Sequence, residues 1–196
     1  MEKSNIRIIG GKYKGKKLYM GDKETTRSTK QILKESVFNS LQWEVDDSTW
    51  VEVFSGVGSI GLEAISRGAK KAYFLEKDIE AAKVLKANIN SLKEEDKEKC
   101  EVILGDSFET IWDVIEKLKK DKDKAIFYFD PPFAIREGYE DIYEKVQTLI
   151  KQLPKINVDK ILIEHQSDYE FPEHLGKYKK TKTKKFGKSS VTFYEG

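Results

Sequence analysis

Short runs of consecutive apolar residues alternate along the chain with segments whose apolar residues recur at helical spacing. The runs are typical of buried strands, and the spacing predicts amphipathic helices that cover them. This alternation predicts an α/β domain with a mostly parallel sheet and helices on both faces. The strands are predicted at residues 50–54, 71–76, 101–104, 125–129 and 160–164, and the helices at 59–67, 79–92, 108–118 and 139–153.

Both ends of the chain lie outside this alternation. Residues 7–11 predict a short strand and turn, and apolar residues from position 29 to 41 predict a helix, so residues 1–45 are expected to form a small extension with a β-hairpin. Residues 46–196 then form the main domain. After residue 164 the helical spacing stops, and strand-like runs near Tyr178 and at 191–194 predict an antiparallel hairpin at the sheet edge, which makes seven strands.

Charge is unevenly distributed, although the 36 Lys+Arg and 34 Asp+Glu nearly cancel to +2. Residues 1–34 hold ten basic residues against three acidic ones, and residues 175–196 hold seven lysines against one glutamate. Lysine-rich ends are commonly solvated tails. Because both ends also carry strand signals, their lysines suit contacts with phosphates better than loose tails would. The net charge of +2 therefore excludes only a nucleic-acid-binding protein that is basic along its whole length.

A few residue counts narrow the class of protein. A single cysteine, Cys100, excludes an intramolecular disulfide and a multi-cysteine zinc site, and no metal is expected. No apolar run approaches the roughly 18–20 residues of a membrane span, and the first residues lack an apolar signal core. We expect a soluble, cytoplasmic monomer.

A glycine-rich segment predicts a nucleotide-like cofactor. Residues 56–61 match G-x-G-x-x-G between a predicted strand and a predicted helix, and Glu76 closes the next strand about twenty residues on, where it can accept the hydroxyls of a ribose. Glu52 would repel a pyrophosphate but attract the positively charged methionine end of S-adenosylmethionine. Asp106 can accept a hydrogen bond from an adenine amino group, cap the following helix, or do both. These carboxylates favour S-adenosylmethionine over NAD.

Asp130-Pro131-Pro132-Phe133 closes the fourth predicted strand. Consecutive prolines end a strand because neither has an N–H to donate. The Asp130 carboxylate and the freed Pro131 carbonyl can accept both N–H bonds of an exocyclic amino group, while Phe133 stacks on the ring. When both N–H bonds of the amino group are held, the lone pair of its nitrogen faces a methyl donor. Catalysis then depends on positioning and electrostatics.

These motifs resemble those of the class I S-adenosylmethionine-dependent amino-methyltransferases. The flanking segments are similar to the bacterial 16S rRNA guanine-N2 methyltransferases of the D type, and the resemblance covers nearly the whole chain. Two departures are Glu52, where the family usually has Asp, and Ser28, where it usually has Pro. The segments that carry the resemblance are 7–18, 27–29, 37–41, 51–58, 62–69, 76–78, 106, 130–133 and 186–194.

The resemblance implies a Rossmann-like class I methyltransferase fold and methyl transfer to the N2 amine of a guanine in 16S rRNA, free or in a partly assembled small ribosomal subunit. The base would be flipped into a pocket beside Phe133. The implied catalytic residues are Asp130, Pro131, Pro132 and Phe133. The implied cofactor contacts are Glu52, Ser55, Gly56, Gly58, Glu76, Asp106 and Ser107. The implied RNA contacts are Arg7, Lys12, Lys14, Lys16, Lys17 and Arg27.

Other functions stay open at this point. A DNA adenine or cytosine amino-methyltransferase uses the same Asp-Pro-Pro-aromatic chemistry, although no separate target-recognition domain is visible in the sequence. An S-adenosylmethionine-binding RNA module without activity and an NAD oxidoreductase are further alternatives. The NAD enzyme has no need of residues 130–133, and the two cofactors can be told apart by direct binding.

Overall fold

A computed structural model describes residues 3–21 and 28–196. Strands β1 (Lys3–Arg7) and β2 (Lys17–Tyr19) form an antiparallel hairpin joined through a 3-10 turn at Gly11–Tyr13, and helix α1 (Ser28–Ser40) follows. The predicted N-terminal β-hairpin is confirmed. Its first strand ends at Arg7, the first residue of the strand and turn predicted at 7–11, and the glycines beyond it turn the chain. Ile8 still pairs with the other arm of the hairpin through two backbone hydrogen bonds, to Lys16 and from Gly15.

From residue 49 onward the chain follows the predicted alternation of strands and helices. Helix α4, a single acidic turn, was not predicted from the sequence. The elements are β3 (Thr49–Val53), α2 (Ser59–Ser66), β4 (Lys71–Glu76), α3 (Ile79–Asn90), α4 (Glu94–Lys97), β5 (Cys100–Leu104), α5 (Ser107–Asp121), β6 (Ala125–Phe129), α6 (Ile142–Gln152), β7 (Val158–Gln166), β8 (His174–Leu175), β9 (Tyr178–Phe186) and β10 (Ser189–Glu195).

These strands form one sheet in the order β5-β4-β3-β6-β7-β10-β9-β8. The first five are parallel, and β10 pairs antiparallel with both β7 and β9, which confirms the predicted hairpin at the edge. The sheet has the seven predicted strands and an eighth, β8, whose two residues are too few to leave a periodic pattern in the sequence.

Two hydrophobic cores cover the two faces of the sheet. Helices α1, α2 and α3 pack on one face, around Phe38, Trp50 and Phe74, and helices α5 and α6 pack on the other, around Ile115 and Phe127. The predicted helices on both faces are therefore confirmed. None of the helices in the two described ranges is long and apolar enough to cross a membrane.

The N-terminal hairpin is fixed beside helix α2 by buried polar groups. The carboxylate of Glu63 accepts hydrogen bonds from the backbone N–H groups of Ile9 and Gly10, at 2.8 and 3.0 Å. The buried amide of Asn88 bonds to both backbone groups of Tyr19 in β2 and donates to the carbonyl of Val57 in the glycine-rich loop. Because Val57 lies in that loop, the hairpin and the predicted cofactor site are held next to each other.

Candidate active site

The loops that follow strands β3 to β6 leave the sheet at the same edge. Backbone hydrogen bonds tie these loops together where the strands end: Ser55 donates to Leu75, and Gly105 donates to Glu76. Asp130 donates to Val53 at 3.1 Å. The carboxyl ends of parallel strands in an open α/β sheet are the usual place for a ligand. The sheet therefore brings the predicted cofactor residues and the predicted catalytic loop to one edge.

The glycine-rich loop joins β3 to α2 in a conformation that requires its glycines. Gly58, the residue before α2, has φ +84, and a Cβ atom there would lie 2.3 Å from Cδ1 of Leu85. Phe54, which opens the loop, also has positive φ (61°) although it is not a glycine, and its ring packs edge-on against Phe108. Such backbone strain in a non-glycine residue is typical of functional loops.

Glu52 lies on β3 beneath the first turn of α2 and is 3% exposed. One carboxylate oxygen accepts a hydrogen bond from the N–H of Gly61 at 2.7 Å, and the other faces the N–H of Ile60 at 3.4 Å. Burial raises the pKa of Glu52 to about 8, and the negative charge of Asp130 contributes in the same direction. In this structure Glu52 therefore accepts hydrogen bonds from N–H groups in the first turn of α2, which have no partner within the helix. Its predicted contact with a cofactor stays a prediction.

Glu76 and Ser55 have hydrogen-bonding capacity that fits a bound ribose and methionine. The carboxylate of Glu76 accepts from the N–H groups of Gly56 and Asp78, at 2.6 and 2.9 Å, which fixes it beside the glycine-rich loop. Each carboxylate oxygen keeps a further lone pair. The hydroxyl of Ser55 is buried and, among the residues that the structure describes, has no hydrogen-bond partner. A buried hydroxyl without a partner is costly, so it suits contact with a polar ligand.

Asp106 caps helix α5, which is one of the two roles predicted for it. Its Oδ1 accepts a hydrogen bond from the N–H of Phe108 at 2.9 Å, and the neighbouring Ser107 is buried in the first turn. The carboxylate of Asp106 is exposed at the same sheet edge as Glu76. Because this carboxylate is exposed, it can also accept a hydrogen bond from a ligand, and its predicted contact with an adenine amino group stays a prediction.

The catalytic loop predicted from the sequence begins directly after β6. Asp130 is partly exposed, with Oδ2 lying 3.5 Å from Nζ of Lys30 on α1. Pro131 is buried, whereas Pro132 and Phe133 are partly exposed at the end of the sheet. The following segment is held against β7, because the N–H of Ile135 donates to the side chain of Gln166 at 3.1 Å. The loop is thus fixed at both ends, with the Phe133 ring between them.

Three residues near Asp130 were missed from the sequence. Lys30 pairs with Asp130, and the hydroxyl of Tyr128 donates to the buried carboxylate of Glu164 at 2.9 Å. Glu164 comes directly after the apolar residues 161–163 of β7, as Glu76 comes at the end of β4. Glu164 could have been found in the sequence as a carboxylate at the end of a buried strand next to Asp130. No sequence pattern indicates Lys30, because its contact with Asp130 depends on how α1 packs.

The predicted RNA contacts lie on or beside the N-terminal hairpin, except Arg27, which is outside the described residues. Arg7, Lys14 and Lys17 are exposed, and Lys16 is partly exposed. Lys12 is different, because its Nζ lies 2.7 Å from Glu95 and 2.8 Å from Asp96. Hydrogen bonds to Asp96 and Glu95 raise the pKa of Lys12. Its charge is therefore already paired within the protein.

Comparison with known proteins gives the family. The family model described as Conserved hypothetical protein 95 matches residues 6–195. "Putative rRNA methyltransferase YlbH" of Bacillus subtilis (strain 168) is 27% identical over 191 residues, 97% of this chain and 98% of that protein. Ribosomal RNA small subunit methyltransferase D of Haemophilus influenzae is 37% identical over 131 residues, 67% of this chain and 65% of that protein.

A solved methyltransferase structure has a fold similar to that of this chain. "Putative methyltransferase yhhF" from Escherichia coli superposes with a TM-score of 0.74 at 26% identity, over 97% of both chains. The Rossmann-like class I methyltransferase fold predicted from the motifs is confirmed, and so is the resemblance to the small-subunit rRNA methyltransferases D. Since the family model spans nearly the whole sequence, the chain belongs to the family described as Conserved hypothetical protein 95.

Proposed function

We propose that the chain transfers a methyl group from S-adenosylmethionine to the N2 amine of a guanine in 16S rRNA, free or within a partly assembled small subunit. One observation carries the proposal: the Asp130-Pro131-Pro132-Phe133 loop follows β6 and is hydrogen-bonded to the end of β3, the strand that leads into the glycine-rich loop. A carboxylate and an aromatic ring thus stand beside a nucleotide-type cofactor site. Names of relatives and the sequence resemblance support rRNA as the substrate.

The residues at the sheet edge fit S-adenosylmethionine. Ser55 offers a buried hydroxyl without a partner, and Glu76 offers carboxylate lone pairs beside the glycine-rich loop. Ser55, Gly56 and Gly58 would hold the methionine part. Glu76 would hold the ribose, and Asp106 the adenine. When bound, the cofactor would supply a methyl group to the amine nitrogen, with its sulfur keeping the bonding electron pair as S-adenosylhomocysteine and the proton of the amine passing to water.

The residues after β6 would hold the amine of the target base. The Asp130 carboxylate and the Pro131 carbonyl accept one N–H bond each, which makes the nitrogen lone pair available. Phe133 stacks on the ring of the flipped base. An exocyclic amine is a weak nucleophile, so a fixed carboxylate next to it contributes through orientation and through stabilisation of the positive charge that develops on nitrogen.

The N-terminal extension, residues 1–45, would contact the RNA, with residues 46–196 as the catalytic domain. The hairpin is anchored to α2 through Glu63 and to the glycine-rich loop through Asn88, so its exposed basic residues stand close to the site. Arg7, Lys14, Lys16 and Lys17 are the side chains on it that can reach phosphates. Lys12 contributes less, because Glu95 and Asp96 already bind it.

The test is methyl transfer with defined substrates. The purified chain is incubated with methyl-labelled S-adenosylmethionine and, separately, with 16S rRNA lacking its methyl groups, with small subunits from a strain deleted for this gene, and with unmethylated DNA. Nucleosides are then identified by mass spectrometry. N2-methylguanosine from the RNA or the subunits is expected. Methyladenine or methylcytosine in DNA would instead establish the alternative function, a DNA amino-methyltransferase.

Two controls separate binding from chemistry. Asp130→Ala is expected to keep the affinity for S-adenosylmethionine within several-fold, measured by calorimetry, and to abolish methyl transfer. Calorimetry with NAD covers the oxidoreductase alternative, and binding of NAD without binding of S-adenosylmethionine would overturn the proposal. Undiminished transfer by Asp130→Ala would remove Asp130 from its proposed role.

A further inference from the structure

A row of polar side chains lies beneath helix α1 on one face of the sheet. Glu52 on β3 stands opposite Tyr128 on the neighbouring β6, and Glu164 lies near the end of β7 on the other side of β6. Side chains two residues apart in a strand point to the same face, so Asp130 continues the row beyond Tyr128. Neither Tyr128 nor Glu164 contacts the cofactor or the target base in the proposed function.

Glu164 is 4% exposed and has two polar neighbours, Tyr128 on β6 and Asp130 directly after that strand. Its Oε2 accepts a hydrogen bond from the hydroxyl of Tyr128 at 2.9 Å. The last residue of β6 pairs with the residue before Glu164 in the parallel β6–β7 ladder, so Asp130 and Glu164 lie side by side. From α1, Lys30 faces the same carboxylates, with Nζ 3.5 Å from Asp130. From β10, the residue paired with Glu164 is the apolar Val191.

Two carboxyl groups in contact cannot both carry a charge without a large cost, so such a pair shares a proton. Asp130 is 27% exposed and has Lys30 beside it, whereas Glu164 is buried, so the shared proton belongs on Glu164. Burial raises the pKa of Glu164 to about 7, and the charge of Asp130 adds to this effect. Tyr128 donates to Oε2, which leaves the other oxygen of Glu164 as the one that can carry the proton.

We propose that Glu164 is a positioning residue that, in its protonated form, donates a hydrogen bond to Asp130 and keeps that carboxylate aimed at the amine of the target base. The inference rests on the proposed function, in which Asp130 accepts the N–H of that amine. Tyr128 has a supporting role, because its hydroxyl holds the other oxygen of Glu164 and fixes the direction of the donated bond.

The proposal predicts how the pH profile of kcat changes between variants. Glu164→Gln keeps a donor toward Asp130 and an acceptor for Tyr128 but cannot ionise. The wild type should lose activity as Glu164 ionises near pH 7. Glu164→Gln should stay within about threefold of the wild-type kcat at pH 6.5 and should not show this fall. Glu164→Leu removes the donor and should lower kcat at least about tenfold, while the KM for S-adenosylmethionine changes less than twofold.

Tyr128→Phe provides a second, opposite test. The hydrogen bond from Tyr128 favours the ionised form of Glu164 and so lowers its pKa. Its loss should shift the inflection to higher pH. Glu116→Gln, an exposed site on α5, is the matched control and should reproduce the wild-type profile. An inflection that persists in Glu164→Gln, or a kcat of Glu164→Leu equal to that of the wild type, would overturn the proposal.

A measurement without substrate separates this inference from the proposed function. In protein labelled with ¹³C at the glutamate side-chain carboxyl, Glu164 should titrate near pH 7, and the signal should be absent from Glu164→Gln. A Glu164 that titrates near pH 4 would refute the pairing, whether or not RNA is methylated. A titration near pH 7 together with a failure to methylate any RNA would leave the pair intact and remove the proposed function.

Discussion

The ammonium group of Lys34 lies 3.2 Å from the carboxylate of Glu63, and both side chains are almost fully buried. Lys34 belongs to α1 and also donates to the carbonyl of Arg7 in β1 and to the hydroxyl of Ser59 at the start of α2. Glu63 also binds Arg67. This buried ion pair therefore joins the hairpin and α1 to the helix that begins at the glycine-rich loop.

Loss of one partner of this pair should strongly destabilise the fold. Glu63→Ala leaves Lys34 buried without its carboxylate and frees the N–H groups of Ile9 and Gly10, so we expect the free energy of unfolding to fall by about 3–5 kcal/mol. Urea denaturation measures this. Glu116→Ala, on the exposed surface of α5, should change it by less than about 0.5 kcal/mol. Equal effects of the two substitutions would show that the buried pair contributes nothing.

The turn of the hairpin offers a comparison between two glycines of similar backbone. Gly11 and Gly15 both have positive φ, 75° and 85°. A Cβ on Gly11 would lie 1.9 Å from the carbonyl oxygen of Ser66, whereas a Cβ on Gly15 meets nothing within 4 Å. Gly15→Ala should therefore cost only the strain of the left-handed conformation, about 1–2 kcal/mol, and Gly11→Ala clearly more. Thermal unfolding measures both variants, and equal destabilisation of the two would contradict this close approach.

The order of strands and helices could be predicted because each buried strand leaves a short apolar run. β4 and β6 agree with the sequence prediction at both ends. The hairpin was expected, but the start of its first strand at Lys3 was not, because Lys3, Ser4 and Asn5 leave no apolar pattern in the sequence. The acidic turn α4 has no apolar pattern. Its visible role is to bind the hairpin, because Glu95 and Asp96 pair with Lys12 and Asp96 also accepts a hydrogen bond from the hydroxyl of Tyr13.

The candidate site was predicted where a motif fixes the backbone and missed where only packing brings residues together. Residues 56–58 and 130–133 are adjacent in sequence to strand ends, so parallel pairing alone placed them at one edge. Lys30 comes from α1, and no spacing in the sequence predicts its contact with Asp130. Lys12 shows the converse, because a surface lysine in a basic segment proved to be bound by two carboxylates.

Glu52 should make stability depend on pH. Its pKa is raised from 4.5 to about 8 in the folded state, so the native protein holds a proton that the unfolded chain releases between these values. The contribution of Glu52 to stability is therefore largest below about pH 4.5 and is lost as pH rises toward 8, with a slope of at most about 1.4 kcal/mol per pH unit.

Glu52→Gln removes this titration. Urea denaturation of cofactor-free protein from pH 5 to 8 should give a flatter dependence for the variant than for the wild type, while Glu116→Gln should run parallel to the wild type. Glu164 titrates in the same direction and remains in all three proteins. Identical slopes for the wild type and Glu52→Gln would mean that Glu52 is ionised throughout this range in the folded protein.

The exposed lysines of the hairpin should set the salt dependence of RNA binding. Replacing Lys14, Lys16 and Lys17 by Gln should weaken binding to a 16S rRNA fragment and reduce the slope of log K against log salt, by about 0.7–0.9 for each phosphate that a lysine no longer neutralises. Lys12→Gln should reduce it less, because Glu95 and Asp96 already pair with that charge. Fluorescence anisotropy at several salt concentrations measures both slopes.

A charge-matched control lies on the other side of the sheet. The control replaces Lys120 on α5, Lys122 at the C-terminal end of α5 and Lys151 on α6 by Gln. These helices pack against the face opposite the hairpin, so the replacement changes the net charge equally without touching the proposed interface. This variant should keep the wild-type slope, since counterions are released only from phosphates that lysines neutralise. If both triple variants lower the slope equally, the effect is one of net charge, and the hairpin lysines are ordinary solvated surface.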